Sequence, residues 1–337
     1  MFTWKKWIHL FMITSLFTVG PVADSFADQA ADERIESSYS PLFIVQFAGR
    51  EWTLNLNDVG FDGIDPTTLD RQAFMNWFHL VVEKEVNRPP RSAYFKGRKI
   101  VPHQLGRTID REQVTEWLDQ IHDYINRPVP LPVIWTQPAL STNQVKRLKE
   151  KKLGSYTTYF NPNNRNRSHN IELSTQAIDH FILMPGEIFS FNRVVGERSI
   201  KKGYRPARII VKGEYSEGVG GGVCQTSSTL FNSVDAAGLR IIQRVSHSKQ
   251  VTYVPEHRDA TVSWGGPDFK FQNQLNEPIL IVATIKKGML KISVYGPRKI
   301  HYHPRFVPPS PKFSQVSHPV EMEQSMNVRE KGPLFHR

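Results

Sequence analysis

The chain is 337 residues long, with 43 Lys and Arg against 32 Asp and Glu and a formal charge of +11 near neutral pH. Its single cysteine excludes an internal disulfide framework and a zinc knuckle. The basic balance suits an anionic surrounding such as a wall polymer or a membrane surface, and a merely solvated surface explains it equally well; with no recognisable binding motif, nucleic acid is not an expected partner.

Residues 1–27 read as a secretory leader. Lys5 and Lys6 form a basic start, Trp7 to Gly20 is an apolar run too short for a comfortable membrane anchor, and Ser25-Phe26-Ala27 supplies a small-x-small cleavage site. No cysteine ends that run, which argues against a lipoprotein. The body is therefore expected outside the cytoplasm, in the cell wall or at the cell surface, meeting membrane only through the leader if that stays uncleaved. Residues 28–40 form a polar lead-in. FIVQFAGREWTLNLNDVGF then reads as two strands turning at Ala48-Gly49, Thr68 to Val86 as a helix, AYFKGRKIVP as a hairpin turning at Lys96-Gly97, and TIDREQVTEWLDQIHDYI as a helix capped by Asp110. Residues 41–136 thus form a small α+β unit without clustered reactive groups. Residues 137–169, with the basic run VKRLKEKK and a polar loop NPNNRN, read as a linker.

Beyond it come an amphipathic helix, a Pro-Gly turn, the strand RPARIIVKGEY and a glycine run. A second helix follows, and then at least four strands drawn from LRIIQRVSHS, VTYVPEHRDATVSWG and the hairpin that turns at Lys287-Gly288. Residues 298–337 read as a basic, proline-rich, disordered tail. The fold class expected is α+β in two domains, the C-terminal one β-rich.

The chemistry concentrates in GVGGGVCQTSSTLFNSVDAAGL, residues 218–239. Glycines at 218, 220, 221 and 222 permit positive φ and close backbone approach. Apolar Leu230, Phe231, Val234 and Ala237 mark a helix that Gly238 ends, so Cys224 falls at a helix N-terminus. There the free N–H groups and the dipole favour an anion and lower a thiol's pKa. A buried, inert thiol is the bland alternative, but a lone thiol in an oxidising compartment with polar neighbours invites a functional reason. A cysteine nucleophile needs a base and an orienting acid. His247, just past the strand after the helix, is the first choice and His257 the second, with Asp259 or Asp268 fixing the imidazole tautomer. The other histidines show no metal-ligand spacing, and neither metal nor cofactor is expected.

These segments resemble a known family. MPGEIFSFN, GGGVCQTSSTLFN, RDATV and DFKFQNQLNEPI occur in the order found in the VanW domain, a likeness that covers residues 170–297. Residues 41–136, with VPHQLGRTID as the best-matching stretch, are more loosely similar to the peptidoglycan-binding domain that precedes VanW domains in exported bacterial proteins. The resemblance implies a cell-wall setting and peptidoglycan stem peptides as partners. It further implies an L,D-transpeptidase that forms 3→3 cross-links through a thioester on Cys224. In that scheme Gly221, Gly222, Gln225, Ser227 and Arg258 line the oxyanion and substrate site. A non-catalytic peptidoglycan-binding scaffold and a cysteine carboxypeptidase of wall peptides are the alternatives.

Overall fold

A computed structural model describes residues 40–211 and 213–312. The leader, most of the lead-in and the end of the tail, residues 313–337, lie outside the described residues. Helices and several small sheets make an α+β structure built around two large apolar clusters, one drawn from residues 43–131 and the other from residues 153–300.

The first cluster is aromatic. Phe43 packs edge-on to Phe74 at 5.1 Å between ring centroids, and Phe74 stacks on Phe78. The strands Leu42–Phe47 and Arg50–Asn55 pair antiparallel, and Pro128–Pro130 adds to the first in parallel. The helix expected from Thr68 starts at Arg71, because Pro66–Thr68 makes a 3-10 turn and the Asp70 carboxylate accepts from the Ala73 N–H. It runs to Val86 through a π-helical stretch, Phe78–Glu83. The helix Arg111–Asp119 is capped by Asp110, which accepts from the amides of Glu112 and Gln113.

The second cluster lies under a four-stranded antiparallel sheet in the order Lys151–Tyr159, Met289–Gly296, Ile279–Lys286, Phe181–Leu183. Two helices, Arg165–Ile178 and Val223–Ala236, pack against it and each other. A smaller sheet of Ile188–Ser190, Lys270–Gln272 and Arg240–Gln243 adjoins them. The hairpin Pro206–Val211 with Glu214–Val219 leads into the glycine run. Among the described residues no helix is long and apolar enough to cross a membrane.

Three expectations are corrected. Residues 137–169 are not a bare linker: they hold the helix Thr142–Arg147, the edge strand Lys151–Tyr159 and, from Arg165, the start of the next helix, which Asn164 caps by accepting from the Arg167 N–H. A register irregularity opposite Val294 and Tyr295 breaks that strand's alternation, so its inward residues fall at Leu153, Tyr156 and Thr158 instead of every second position. Residues 251–265, read as strand, are irregular and are held by side-chain hydrogen bonds instead of a ladder. The tail packs as far as it is described: Ile300 is buried, Arg305 pairs with Asp235, and Pro308 O accepts from Tyr156 Oη.

Candidate active site

The helix Val223–Ala236 starts abruptly because Gly222 occupies its cap position with φ 107°, open to glycine alone at little cost. Gly221 is equally constrained, since a Cβ there would lie 2.6 Å from the carbonyl oxygens of Ala207 and Arg208. Cys224 is thereby the second helical residue, in the turn whose N–H groups lack intrahelical acceptors. Among the described residues its own N–H meets no backbone acceptor. The thiol is half-buried, rests on the second apolar cluster and reaches the Val262 carbonyl at 3.5 Å.

The remaining helix face is lined with small polar side chains, and these hold the irregular segment 258–262. Ser228 Oγ donates to Cys224 O at 2.7 Å and accepts the Ala260 N–H at 2.9 Å. Asn232 Nδ2 donates to Arg258 O, and Ser227 Oγ donates to Ala260 O. Arg244 ties the same segment to the strand end, donating to Asp259 O and His257 O. Asp259 is thus presented to His247. Its Oδ2 accepts from the His247 main-chain N–H at 2.6 Å and meets Nδ1 at 2.5 Å. Both side chains are almost shut off from solvent, at 7% and 10% exposure. With Nδ1 engaged by a carboxylate, Nε2 is the nitrogen left for the thiol.

The electrostatics follow from this packing. Burial pushes the Cys224 thiol up, but the hydrogen bond and charge of His247, the Val262 backbone and the Arg198 charge outweigh it, and the thiol ends below its ordinary value. Burial pulls His247 down, yet Asp259 and Cys224 lift it to about 9. Asp259 is raised by burial and brought below the usual carboxylate range by His247. Both shifts favour a thiolate beside an imidazolium over the neutral pair. Tyr253, buried next to them, has its phenol pushed far up, first by burial and then by the Cys224 charge, and stays protonated.

The structure brings Cys224, His247 and Asp259 together and leaves other candidates elsewhere. His257 is exposed, at φ 60°, 3.6 Å from Glu256. Asp268 accepts from Ser190 Oγ and the Asn192 N–H and anchors a turn instead of an imidazole. Arg258 donates to Asn232 and Asp235 and lies over the Phe231 ring. Gln225 is buried and donates to Thr158 Oγ1 and Tyr159 O, while Ser227 is buried against Ala260 O. Gly221 and Gly222 shape the approach to the cysteine through the backbone. Arg167, Arg198 and Tyr253 surround the thiol without having been singled out. A pocket of about 210 Å³ opens behind the imidazole, lined by residues 246–251, Pro255 to His257 and Asp259, and Cys224 is not part of its wall. Among the described residues no three His, Cys, Asp or Glu side chains gather as metal ligands.

Comparison with known proteins agrees with the motif order. Residues 166–295 match the family described as VanW like protein. The chain is 45% identical over 248 residues to the uncharacterized protein YoaR of Bacillus subtilis (strain 168), spanning 72% of this chain and 80% of that protein. It is 33% identical over 127 residues to the vancomycin B-type resistance protein VanW of Enterococcus faecalis (strain ATCC 700802 / V583), which covers 36% of this chain and 46% of that protein. No solved structure matches the chain.

Proposed function

The chain belongs to the VanW family, and from that premise we propose that it is an exported cell-wall enzyme, a cysteine-dependent L,D-transpeptidase acting on peptidoglycan stem peptides. The observation that carries the reading is the Cys224–His247–Asp259 arrangement, in which the ionisation of a half-buried thiol is favoured by an imidazole that a buried carboxylate engages. Thiolate, base and orienter in this order are the parts of acyl transfer by a nucleophilic cysteine.

The steps use those atoms alone. Cys224 Sγ attacks the amide carbonyl before the terminal D-alanine of a tetrapeptide stem, forming a C–S bond. The Cys224 N–H at the helix start is placed to receive the oxyanion. The C–N bond then breaks as the His247 imidazolium protonates the departing amine, which leaves as D-alanine and a thioester. A side-chain amine of a second stem attacks that thioester, gives a proton to His247, and expels the thiolate with a 3→3 cross-link formed. Water in place of the amine would give a carboxypeptidase. Residues 41–136 serve as the unit that holds the glycan–peptide near this centre, and the basic charge favours an anionic wall.

The test is incubation of the protein and its Cys224→Ala variant with disaccharide-tetrapeptide, products being read by mass spectrometry. Cross-linked dimer from the unaltered protein alone is the expected result. Shortened monomer would shift the reading to hydrolysis, and unchanged substrate in both would remove the catalytic reading.

A further inference from the structure

Two arginines bracket the cysteine. Arg167, on the helix Arg165–Ile178, lays its side chain over Gly222, where a Cβ would come within 2.9 Å of its Cγ. Arg198, in the loop before residues 200–202, does the same over Gly220, whose Cβ would lie 2.9 Å from the Arg198 Cβ. The two glycines on either side of Gly221 are thus the floor on which both guanidinium stems rest. Their hydrogen bonds are neutral and few. Arg167 donates to Gln225 Oε1 at 2.7 Å, and Arg198 donates to Gly196 O and Asn192 Oδ1, each at 2.8 Å. Among the described residues neither has a carboxylate within ion-pair distance. Asp268 is the acid whose charge Arg198 feels, and its oxygens are already taken by Ser190 and Asn192. Burial pulls both guanidiniums down, and the Cys224 charge acts on both in the opposite sense.

Two half-buried cations without a carboxylate in ion-pair contact are costly unless an anion arrives. Guanidinium forks with unspent N–H groups match a carboxylate. We propose that Arg198 and Arg167 form a carboxylate-recognition site beside Cys224 that selects a substrate ending in a free carboxylate one residue past the attacked carbonyl. Given the transferase reading on which that identity rests, the anion is the carboxylate of the departing D-alanine. The pair makes the enzyme specific for a chain terminus over an internal peptide bond, and binding of the anion aligns the carbonyl with Sγ.

A probe that needs no turnover tests this. The single cysteine is alkylated with iodoacetate or iodoacetamide under pseudo-first-order conditions, and the mass increase gives each rate. A change in thiol ionisation moves both rates together, so their ratio isolates anion recognition. The expected ratio of iodoacetate to iodoacetamide exceeds that of free N-acetylcysteinamide, and falls about tenfold in Arg198→Gln and Arg167→Gln, with Arg198→Lys between. In the unaltered protein, N-acetyl-D-alanine slows alkylation whereas its amide does not. A ratio equal to that of the free thiol, or equal protection by acid and amide, overturns the proposal even if cross-linking is observed. An elevated ratio in a protein that makes no cross-link keeps the anion site and removes the transferase reading.

Discussion

Replacing Asp259 by Asn removes the charge that holds His247 while keeping the side chain's size. The imidazole is lifted from 6.5 to about 9, which at 1.36 kcal/mol per pH unit corresponds to about 3 kcal/mol of preference for the protonated ring. Burial opposes that lift, so Asp259 and the Cys224 thiolate together supply more than it, and an even division leaves at least about 1.5 kcal/mol to the carboxylate. The sign follows: without Asp259 the imidazolium is less stable, the thiolate loses part of its partner, and the thiol's midpoint climbs. The rise expected is about one pH unit. It is measured as the pH dependence of iodoacetamide alkylation in folded protein, with near-ultraviolet circular dichroism to show that the variant is folded. A midpoint displaced by less than about 0.3 pH unit, or displaced downward, would refute the claim that the carboxylate sets the ionisation of the pair.

If the proposed transfer holds, its rate should follow a bell in pH whose alkaline limb lies near 9, where His247 would lose the proton meant for the leaving amine; kcat/KM against pH for the tetrapeptide donor measures it. Ser228→Ala leaves the buried Ala260 N–H without its acceptor and frees the segment that carries Asp259. It should cost about 1–3 kcal/mol in urea unfolding and lower activity in excess of any loss of folded protein. Gly154→Ala should be disruptive at about 2–3 kcal/mol, because its Cβ would sit 2.5 Å from Ala237 N and Ser233 O, whereas Gly186→Ala, with nothing within 4 Å, should cost about 1 kcal/mol from its positive φ alone; urea midpoints separate the two. In the N-terminal unit Arg111 and His79 hold the buried Glu83 carboxylate below its ordinary value. Its contribution is present above pH 4.5 and is lost as the pH falls through the lowered value. Glu83→Gln should therefore flatten the acid limb of the thermal-stability profile.

Much of this was legible in local pattern. The glycine run and the apolar spacing behind it mark the helix start at Cys224, and the chain order of cysteine, histidine and acid places His247 and Asp259 on the segments that return to it. What escaped depends on partners distant in the chain. Lys151–Tyr159 hides behind a lysine run and an irregular register, so neither composition nor alternation marks it as a strand. Arg258 reads as a ligand beside Asp259, and its bonds to Asn232 and Asp235 across a tertiary contact cannot be read from the local pattern. Gln225 is next to Cys224 but projects into the core, because neighbours on a helix lie about 100° apart around its axis. Arg167 and Arg198 are unremarkable in a basic sequence, and only the absence of side chains at Gly220 and Gly222 leaves room for their stems beside the turn that carries Cys224.

The carboxylate of Asp235 is a junction. It accepts Arg258 on one oxygen and Arg305 on the other, joining the residue before Asp259 to a stretch that comes after the last strand. A polypeptide shortened at residue 297 would retain every described strand and Cys224, His247 and Asp259 while losing the brace on that joint. Its failure would show as looseness in the acid's position together with a lower melting temperature, since Ile300 leaves the second apolar cluster.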